Sequence, residues 1–213
     1  MPKRPHVIRQ GEYVTQLAHR LGVPPDELWS SAENDELRQR RSDRDMLQPG
    51  DVIQVPDREE RRVEIHAGAT NRYRARVLKV PVRVVLRDGA GRPLTGLHYA
   101  VRGGGRSIEG TTDGEGAVSF TVPVVVRQVT LEVEGGRVYH VTIGGMDPAS
   151  ETSGIDKRLA HLGYLHFSRS EPEGPTEIMR KSAISSFQKA NGLRPTGQLD
   201  QATRDAIVRA HGS

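Results

Sequence analysis

The sequence contains no cysteine, and this absence excludes disulfides, thiolate metal sites and a cysteine nucleophile. Aromatic residues make up only 4% of the chain and apolar residues 35%, so every hydrophobic core must be modest. At 213 residues the chain is longer than one typical domain. We therefore expect two or three small domains, each with its own small core.

Long apolar runs are also absent. The most apolar stretch, VSFTVPVVV, is broken by Pro123 and is far shorter than the roughly 18 to 20 residues of a membrane helix. We predict no membrane span. The opening residues MPKRPHVIRQ show neither the apolar centre nor the cleavage site of a secretory signal. We therefore expect synthesis in the cytoplasm.

The usual signatures of catalysis are missing as well. The chain has no His-Glu-x-x-His pair, no Gly-x-Ser-x-Gly elbow and no Walker loop. His161 and His166 are close in sequence but are predicted to straddle a helix end, which would separate their rings. Two carboxylates flanking a glycan stay an open alternative, because such residues meet only in the fold. We predict a non-enzymatic protein without catalytic residues, metal ligands or cofactors.

Basic residues alternate with apolar ones in RYRARVLKVPVRVVLR, which carries much of the net charge of +4. This alternation is typical of a strand with one basic, solvated face and one buried face. Contact with nucleic acid or another anionic polymer is the less favoured alternative. We accordingly predict no nucleic-acid partner.

The N-terminal segment follows a strand, helix, helix, strand pattern. HVIRQ alternates like a strand, and GEYVTQLAHRLGV places Val14, Leu17 and Leu21 at helical spacing before Gly22. A second helix is predicted from Pro25, which suits the first helical position. QPGDVIQVP supplies a turn and a closing strand, preceded by the polar insertion ENDELRQRRSDRD.

HVIRQGEYVTQLAHRLGV and QPGDVIQVP together resemble the LysM domain over residues 5–57. LysM domains bind glycans that contain N-acetylglucosamine, such as peptidoglycan. The resemblance implies glycan contacts from the loops after the first strand and before the last. The residues at these positions are Gly11, Glu12, Tyr13 and Asn34, with Tyr13 as an apolar platform. The segment also resembles a LysM variant found beside contractile injection systems.

The central segment, residues 58–150, consists of short alternating runs separated by glycine-rich turns, which predicts a small antiparallel β-sandwich. The predicted strands are RARVLKV, VRVVLRD, LHYAVRG, GAVSFTVP, VTLEVEG and VYHVTIG. RDGAGRPLTGLHYAV and EGTTDGEGAVSF resemble the carboxypeptidase-regulatory-like sandwich, a non-catalytic spacer. We interpret Asp113 as a turn residue in preference to a metal ligand.

The C-terminal segment is predicted to form three short helices around one core. Ser153 is the expected cap of the first and Asp200 of the third. The set Leu159, Leu162-Gly163-Tyr164, Ala183-Ile184, Phe187-Gln188, Gly192-Leu193, Thr196-Gly197 and Thr203 resembles the three-helix peptidoglycan-binding domain over residues 151–211. The resemblance implies wall contacts from Tyr164, Gln188, Asn191 and Thr196. Phe187 is expected to be structural.

These observations predict a multi-domain α+β protein. It would have a LysM-like head at 1–57, a β-sandwich spacer at 58–150 and a three-helix domain at 151–213. The predicted function is non-catalytic binding of peptidoglycan. The alternative is an accessory, cargo or adaptor protein of a contractile injection (type VI secretion-like) system. Such a system could deliver a protein without a secretory signal to the periplasm or cell wall. In that role ENDELRQRRSDRD would contact a protein partner through Arg38, Arg40 and Arg41.

Overall fold

The computed structural model describes residues 3–57, 65–72, 77–166 and 174–212. The chain forms two compact units: Met1–Asp45 with Pro49–Gly145, and Met46–Gln48 with Met146–Ser213. The fold is mixed α+β, with antiparallel sheets and a helical C-terminal region. This agrees with the predicted class, whereas the predicted domain boundaries stay a prediction.

The N-terminal elements of the first unit pack around a two-stranded sheet. They are β1 (Lys3–Val7), α1 (Val14–Leu21), α2 (Pro25–Ser30), a short 3-10 helix (Ala32–Asn34), α3 (Asp35–Arg40) and β2 (Val52–Pro56). Strands β1 and β2 pair antiparallel, with Val7 opposite Val52. Gly22 ends α1 in the left-handed conformation at φ 75°, as the helical stop predicted.

The polar insertion ENDELRQRRSDRD is not a loop throughout, and this corrects the sequence interpretation. It contains the end of the 3-10 helix and α3, and Leu37 is buried at 2% exposure. Leu37 alone gives α3 a face that packs into the protein. Asp35 and Glu36 in its first turn and Arg38 and Arg40 in its last also match the helix dipole.

Six further strands of the first unit form two antiparallel sheets. Strands β3 (Lys79–Val85) and β6 (Ala117–Pro123) make one, and the other has the order β5, β4, β7, β8, formed by Ile108–Thr111, His98–Arg102, Gln128–Val133 and Arg137–Thr142. Their inward-facing residues build a common core that includes Val101, Val118, Phe120, Val122 and Leu131. Strict alternation along β6 and β7 explains why the sequence located them well.

Two sheet predictions differ from the structure. VRVVLRD was expected as a strand of its own after Pro81, but β3 runs through Pro81 from Lys79 to Val85. Of the other predicted strand, RARVLKV, residues 74–76 lie outside the described residues. Strand β5 was missed because IEGT is short and carries a glycine. Arg83 points outward and pairs with Glu115 at 2.6 Å, consistent with a solvated basic face.

The second unit contains α4 (Thr152–His161), α5 (Glu177–Ala190) and α6 (Gln201–His211). Their shared core consists of Ile155, Leu159, Leu165, Ala183, Ile184, Phe187 and Ile207. Asp200 caps α6 by accepting the Thr203 N–H at 2.8 Å, as predicted. The predicted cap at Ser153 is wrong, because α4 begins at Thr152 and Glu151 occupies its cap position. No helix in the described ranges is long and apolar enough to cross a membrane.

Candidate functional site

Gln188 lies at the centre of the C-terminal helical region. The side chain is 1% exposed on the buried face of α5. Its Nε2 donates to Gln198 O at 3.0 Å and Thr203 Oγ1 at 2.9 Å, and its Oε1 accepts the Gly197 N–H at 2.9 Å. The amide therefore fastens the loop between α5 and α6 to both helices. Gln188 was predicted to contact the wall. In the structure its hydrogen-bonding groups are engaged inside the domain, where they hold the loop.

Thr196 and Asn191 lie exposed at this loop. The Thr196 hydroxyl receives a 3.2 Å hydrogen bond from Gln188 Nε2. Asn191 follows α5 directly, and its Nδ2 donates to Phe187 O at 2.9 Å. Each therefore combines an exposed polar group with an internal hydrogen bond that fixes its position.

Tyr164 is half-buried after α4 and packs on α5. Its ring meets Phe187 edge to face, with centroids 5.3 Å apart and an angle of 84°. Phe187 itself is 1% exposed and lies in the core, as the sequence analysis expected. The structure thus links Tyr164, Asn191 and Thr196 through neighbouring residues Phe187 and Gln188. The four predicted wall-binding positions are connected around the C-terminal half of α5.

Residues 150–207 match the family model described as "Putative peptidoglycan binding domain". This match supports cell-wall binding. It covers the C-terminal helical region, here called the matched domain, and leaves the first unit without a family assignment. Comparison with curated proteins and with solved structures found no significant match.

Charged side chains buried in the second unit were not anticipated. Arg158 is 1% exposed, and its Nη1 donates to Asp147 O and Gly154 O, both at 2.9 Å. Burial lowers the pKa of this guanidinium, and the charge of Asp147 opposes that effect. Nη2 of Arg158 also lies 3.4 Å from Met46 Sδ. The sequence contains a signal for this burial, because Arg158 lies on the same face of α4 as the apolar Ile155 and Leu159.

Asp156 adds a second buried charge, at 4% exposure. Its two carboxylate oxygens accept hydrogen bonds from Arg180 Nε and Nη2, both at 2.8 Å, which ties α4 to α5. This pair fixes α4, which Tyr164 follows, relative to α5, which carries Gln188.

In the first unit, the loop after β1 turns its predicted glycan-binding side chains inward. Glu12 is 8% exposed and accepts hydrogen bonds from His6 Nε2 at 2.9 Å, the Arg9 N–H at 3.0 Å and Arg20 Nη2 at 3.1 Å. Burial raises the pKa of this carboxyl, but the hydrogen bonds and the nearby His6 outweigh it, and the net pKa is lowered. Gly11 provides the bend at φ 77°.

Tyr13 lies in the core shared with the two sheets, at 3% exposure. Its hydroxyl donates to Val124 O at 3.2 Å. Gly144 faces the ring so closely that a Cβ there would lie 2.9 Å from two ring carbons. The apolar platform predicted for this residue is therefore occupied by the protein itself, and a sugar has no access to the ring in this structure.

Asn34 is also internal, at 1% exposure. Its Nδ2 donates to Leu28 O at 2.9 Å and Gln54 O at 3.1 Å, and its Oδ1 accepts the Gln54 N–H at 2.7 Å. The amide joins the end of the short 3-10 helix to β2. As with Glu12, the side-chain atoms that were expected to contact a glycan form hydrogen bonds within the protein.

Metal-ligand clusters were not expected. Within the described part of the chain, no group of three or more His, Asp or Glu side chains is placed to hold a metal ion. Asp113 accepts the N–H groups of Glu115 at 2.9 Å and Ala117 at 2.8 Å, as a turn residue does.

Proposed function

We propose that this protein binds peptidoglycan through the matched domain and does not cleave it. The observation that carries the proposal is the family match over residues 150–207. The exposed Thr196 and Asn191 offer hydrogen-bonding groups, and the half-buried Tyr164 offers an aromatic edge. Polar groups beside an aromatic surface suit the hydroxyls, amides and apolar faces of sugars and stem peptides.

Within this proposal the first unit supports the protein without adding sugar contacts. Glu12, Tyr13 and Asn34 are all buried and hydrogen-bonded to protein atoms. A glycan could reach them only after the loops opened, which would cost several internal hydrogen bonds. We therefore assign wall binding to the matched domain and a scaffold role to the LysM-like head.

The absence of catalysis is part of the proposal and has its own test. The candidate wall-binding residues are hydroxyl, amide and phenol groups, which bind sugars without supplying a general acid and base pair. Purified protein incubated with sacculi should release no more muropeptide than buffer. Release above that level would contradict a purely binding role.

The adaptor role in a contractile injection apparatus stays a prediction. Two of the three arginines given that role make contacts within the fold. Arg41 forms a buried pair with Asp51, and Arg38 donates to the carbonyls of Trp29 and Ser31. Only Arg40 of the three basic residues is exposed. No contact among the described residues favours this role over wall binding.

Co-sedimentation of the full chain with insoluble peptidoglycan tests the proposal. The full chain is needed because the second unit includes Met46–Gln48, which a C-terminal fragment would lack. Wild-type protein should sediment with sacculi. The double variant Thr196→Val with Tyr164→Phe removes two hydroxyls and should weaken binding roughly tenfold, the effect of about 1.4 kcal/mol.

Ser182→Ala is the matched control, because it removes an exposed hydroxyl from α5 away from the loop. It should bind like wild type. Failure of the wild-type protein to sediment would overturn the proposed function. Equal binding by the double variant and Ser182→Ala would keep wall binding but reject this surface.

A further inference from the structure

The ends of α4 and α6 bring together two histidines that are fifty residues apart in sequence. His161 is the last residue of α4 and His211 the last residue of α6. Nδ1 of His161 lies 3.0 Å from Nε2 of His211. His161 is close in sequence to His166 but meets His211, so this pair is a product of the tertiary fold.

The two imidazoles face each other through their nitrogens. Their ring centroids are 5.2 Å apart and the planes meet at 25°. The centroid separation exceeds the 3.0 Å nitrogen separation by about the sum of the two distances from ring centre to nitrogen. The nitrogens therefore lie close to the line between the ring centres, so the rings meet edge to edge. In this hydrogen bond one facing nitrogen carries the proton and the other offers its lone pair.

This separation is near the one that a metal ion requires. Two nitrogens bound to one tetrahedral zinc at about 2.05 Å lie roughly 3.3 Å apart. The pair needs to widen by about 0.3 Å, and each ring must turn by roughly 35° so that both nitrogens point at an ion lying off the line between them. His161 is exposed, so its ring has room to rotate.

The helices hold the pair on a rigid base. Leu159 on α4 and Ile207 on α6 are both fully buried in the same core. The pair also lies at the C-terminal ends of both helices, where the helix dipoles favour a cation. The buried guanidinium of Arg158 acts on His211 in the opposite sense. Its hydrogen bonds to the carbonyls of Asp147 and Gly154 disperse part of that charge.

We propose that His161 and His211 form a two-histidine binding site for a divalent transition-metal ion of the zinc class. Imidazole suits Zn²⁺, and water would complete a four-coordinate shell. On binding, the proton shared between the facing nitrogens moves to the far nitrogen of its own ring, so that both facing nitrogens become ligands. The ion would join the ends of α4 and α6.

A metal that binds only the folded domain stabilises it by mass action. The effect is independent of wall binding, so this inference goes beyond the proposed function. Two protein ligands instead of three or four imply a weak, exchangeable site. Such a site would make the stability of the matched domain depend on zinc concentration.

Titration of the untagged full chain with ZnCl₂ tests the proposal, read by isothermal calorimetry and by thermal unfolding. Wild-type protein should bind one zinc ion at this pair, and its melting temperature should rise with zinc. His161→Gln should weaken zinc affinity at least tenfold and abolish the melting shift. Because His161 is exposed, this variant should keep the fold in the absence of metal.

His66→Gln is the matched control, since it removes an exposed histidine from the first unit. It should retain wild-type zinc binding. Absence of zinc binding by the wild type at up to about 1 mM would overturn the proposal, because such a site would then be too weak to matter. Equal affinities of wild type and His161→Gln, or equal losses in the two variants, would also overturn it.

Discussion

The loop after β1 was predicted to contact glycan and the loop between α5 and α6 to contact the cell wall, and their side chains are placed differently in the structure. In the first, Glu12 and Tyr13 point into the fold and no predicted side chain remains available. In the second, the buried Gln188 anchors the loop while Thr196 stays exposed. A polar or aromatic residue of a loop can therefore contact a ligand only when a different residue makes the hydrogen bonds that hold the loop in place.

We expect the largest effect from Phe187→Ala. This substitution removes a ring that lies in the core of the matched domain and packs against Tyr164. Removing a buried Phe typically costs about 3–5 kcal/mol, comparable to the total stability of a small domain. The matched domain should unfold and wall binding should be lost. Trp29, the only tryptophan, belongs to the first unit, so its fluorescence should still report a folded first unit.

Circular dichroism measures the lost helical signal of this variant, and Ser182→Ala serves again as the control. A variant with native melting behaviour but no wall binding would show that Phe187 contacts the ligand. That result would place the binding surface on the face now assigned to the core.

Arg41→Glu is expected to be almost as damaging, in the first unit. Arg41 Nε and Nη2 hold the Asp51 carboxylate at 2.8 and 3.0 Å, and both side chains are below 10% exposure. Breaking a buried ion pair costs about 3–5 kcal/mol, because an uncompensated charge remains. Chemical denaturation followed by Trp29 fluorescence measures the loss.

Arg40→Glu is the matched control on the neighbouring exposed position and should change stability by less than about 0.5 kcal/mol. The same pair of variants tests for a protein partner. Loss of a co-purifying protein in Arg40→Glu alone would support the adaptor role. Similar stability of the two variants would contradict the buried pair.

Gln188→Leu should have an intermediate effect and would sharpen the comparison of the two loops. It keeps the size of the side chain but leaves the buried Gly197 N–H without its acceptor. An unsatisfied buried donor costs about 1–3 kcal/mol. We expect a destabilised matched domain and weaker wall binding, because the position of Thr196 is no longer fixed.

Thermal unfolding and co-sedimentation measure both effects below the melting temperature of the variant. Gln201→Leu, at an exposed position of α6, should leave both unchanged. Unchanged wall binding by Gln188→Leu would show that the loop geometry is not needed for recognition.

Tyr13→Phe should have the smallest effect. It removes only the 3.2 Å hydrogen bond to Val124 O and keeps the ring in the core. A loss of about 1 kcal/mol in the first unit is expected, with no change in wall binding. Denaturation and co-sedimentation of the full chain provide the two measurements. Weaker sedimentation of a fully folded variant would return Tyr13 to the binding surface.

Local signals along the chain located most of the described helices and strands. Val14, Leu17 and Leu21 mark α1 by their spacing, Gly22 ends it, and Asp200 caps α6. These signals are local, since they depend on periodicity and on the hydrogen bonds of neighbouring residues. The motif of the matched domain is local in the same sense, and a family model matches residues 150–207.

Packing between elements sets which of the candidate side chains face solvent and which distant residues meet. Tyr13 is buried because Gly144, more than a hundred residues away, leaves room for its ring. Gln188 is internal because the Thr196–Gln198 loop folds back on it, and His161 meets His211 because α4 and α6 pack on one core. Burial and long-range contact depend on packing between elements, which the periodicity of a single element does not encode.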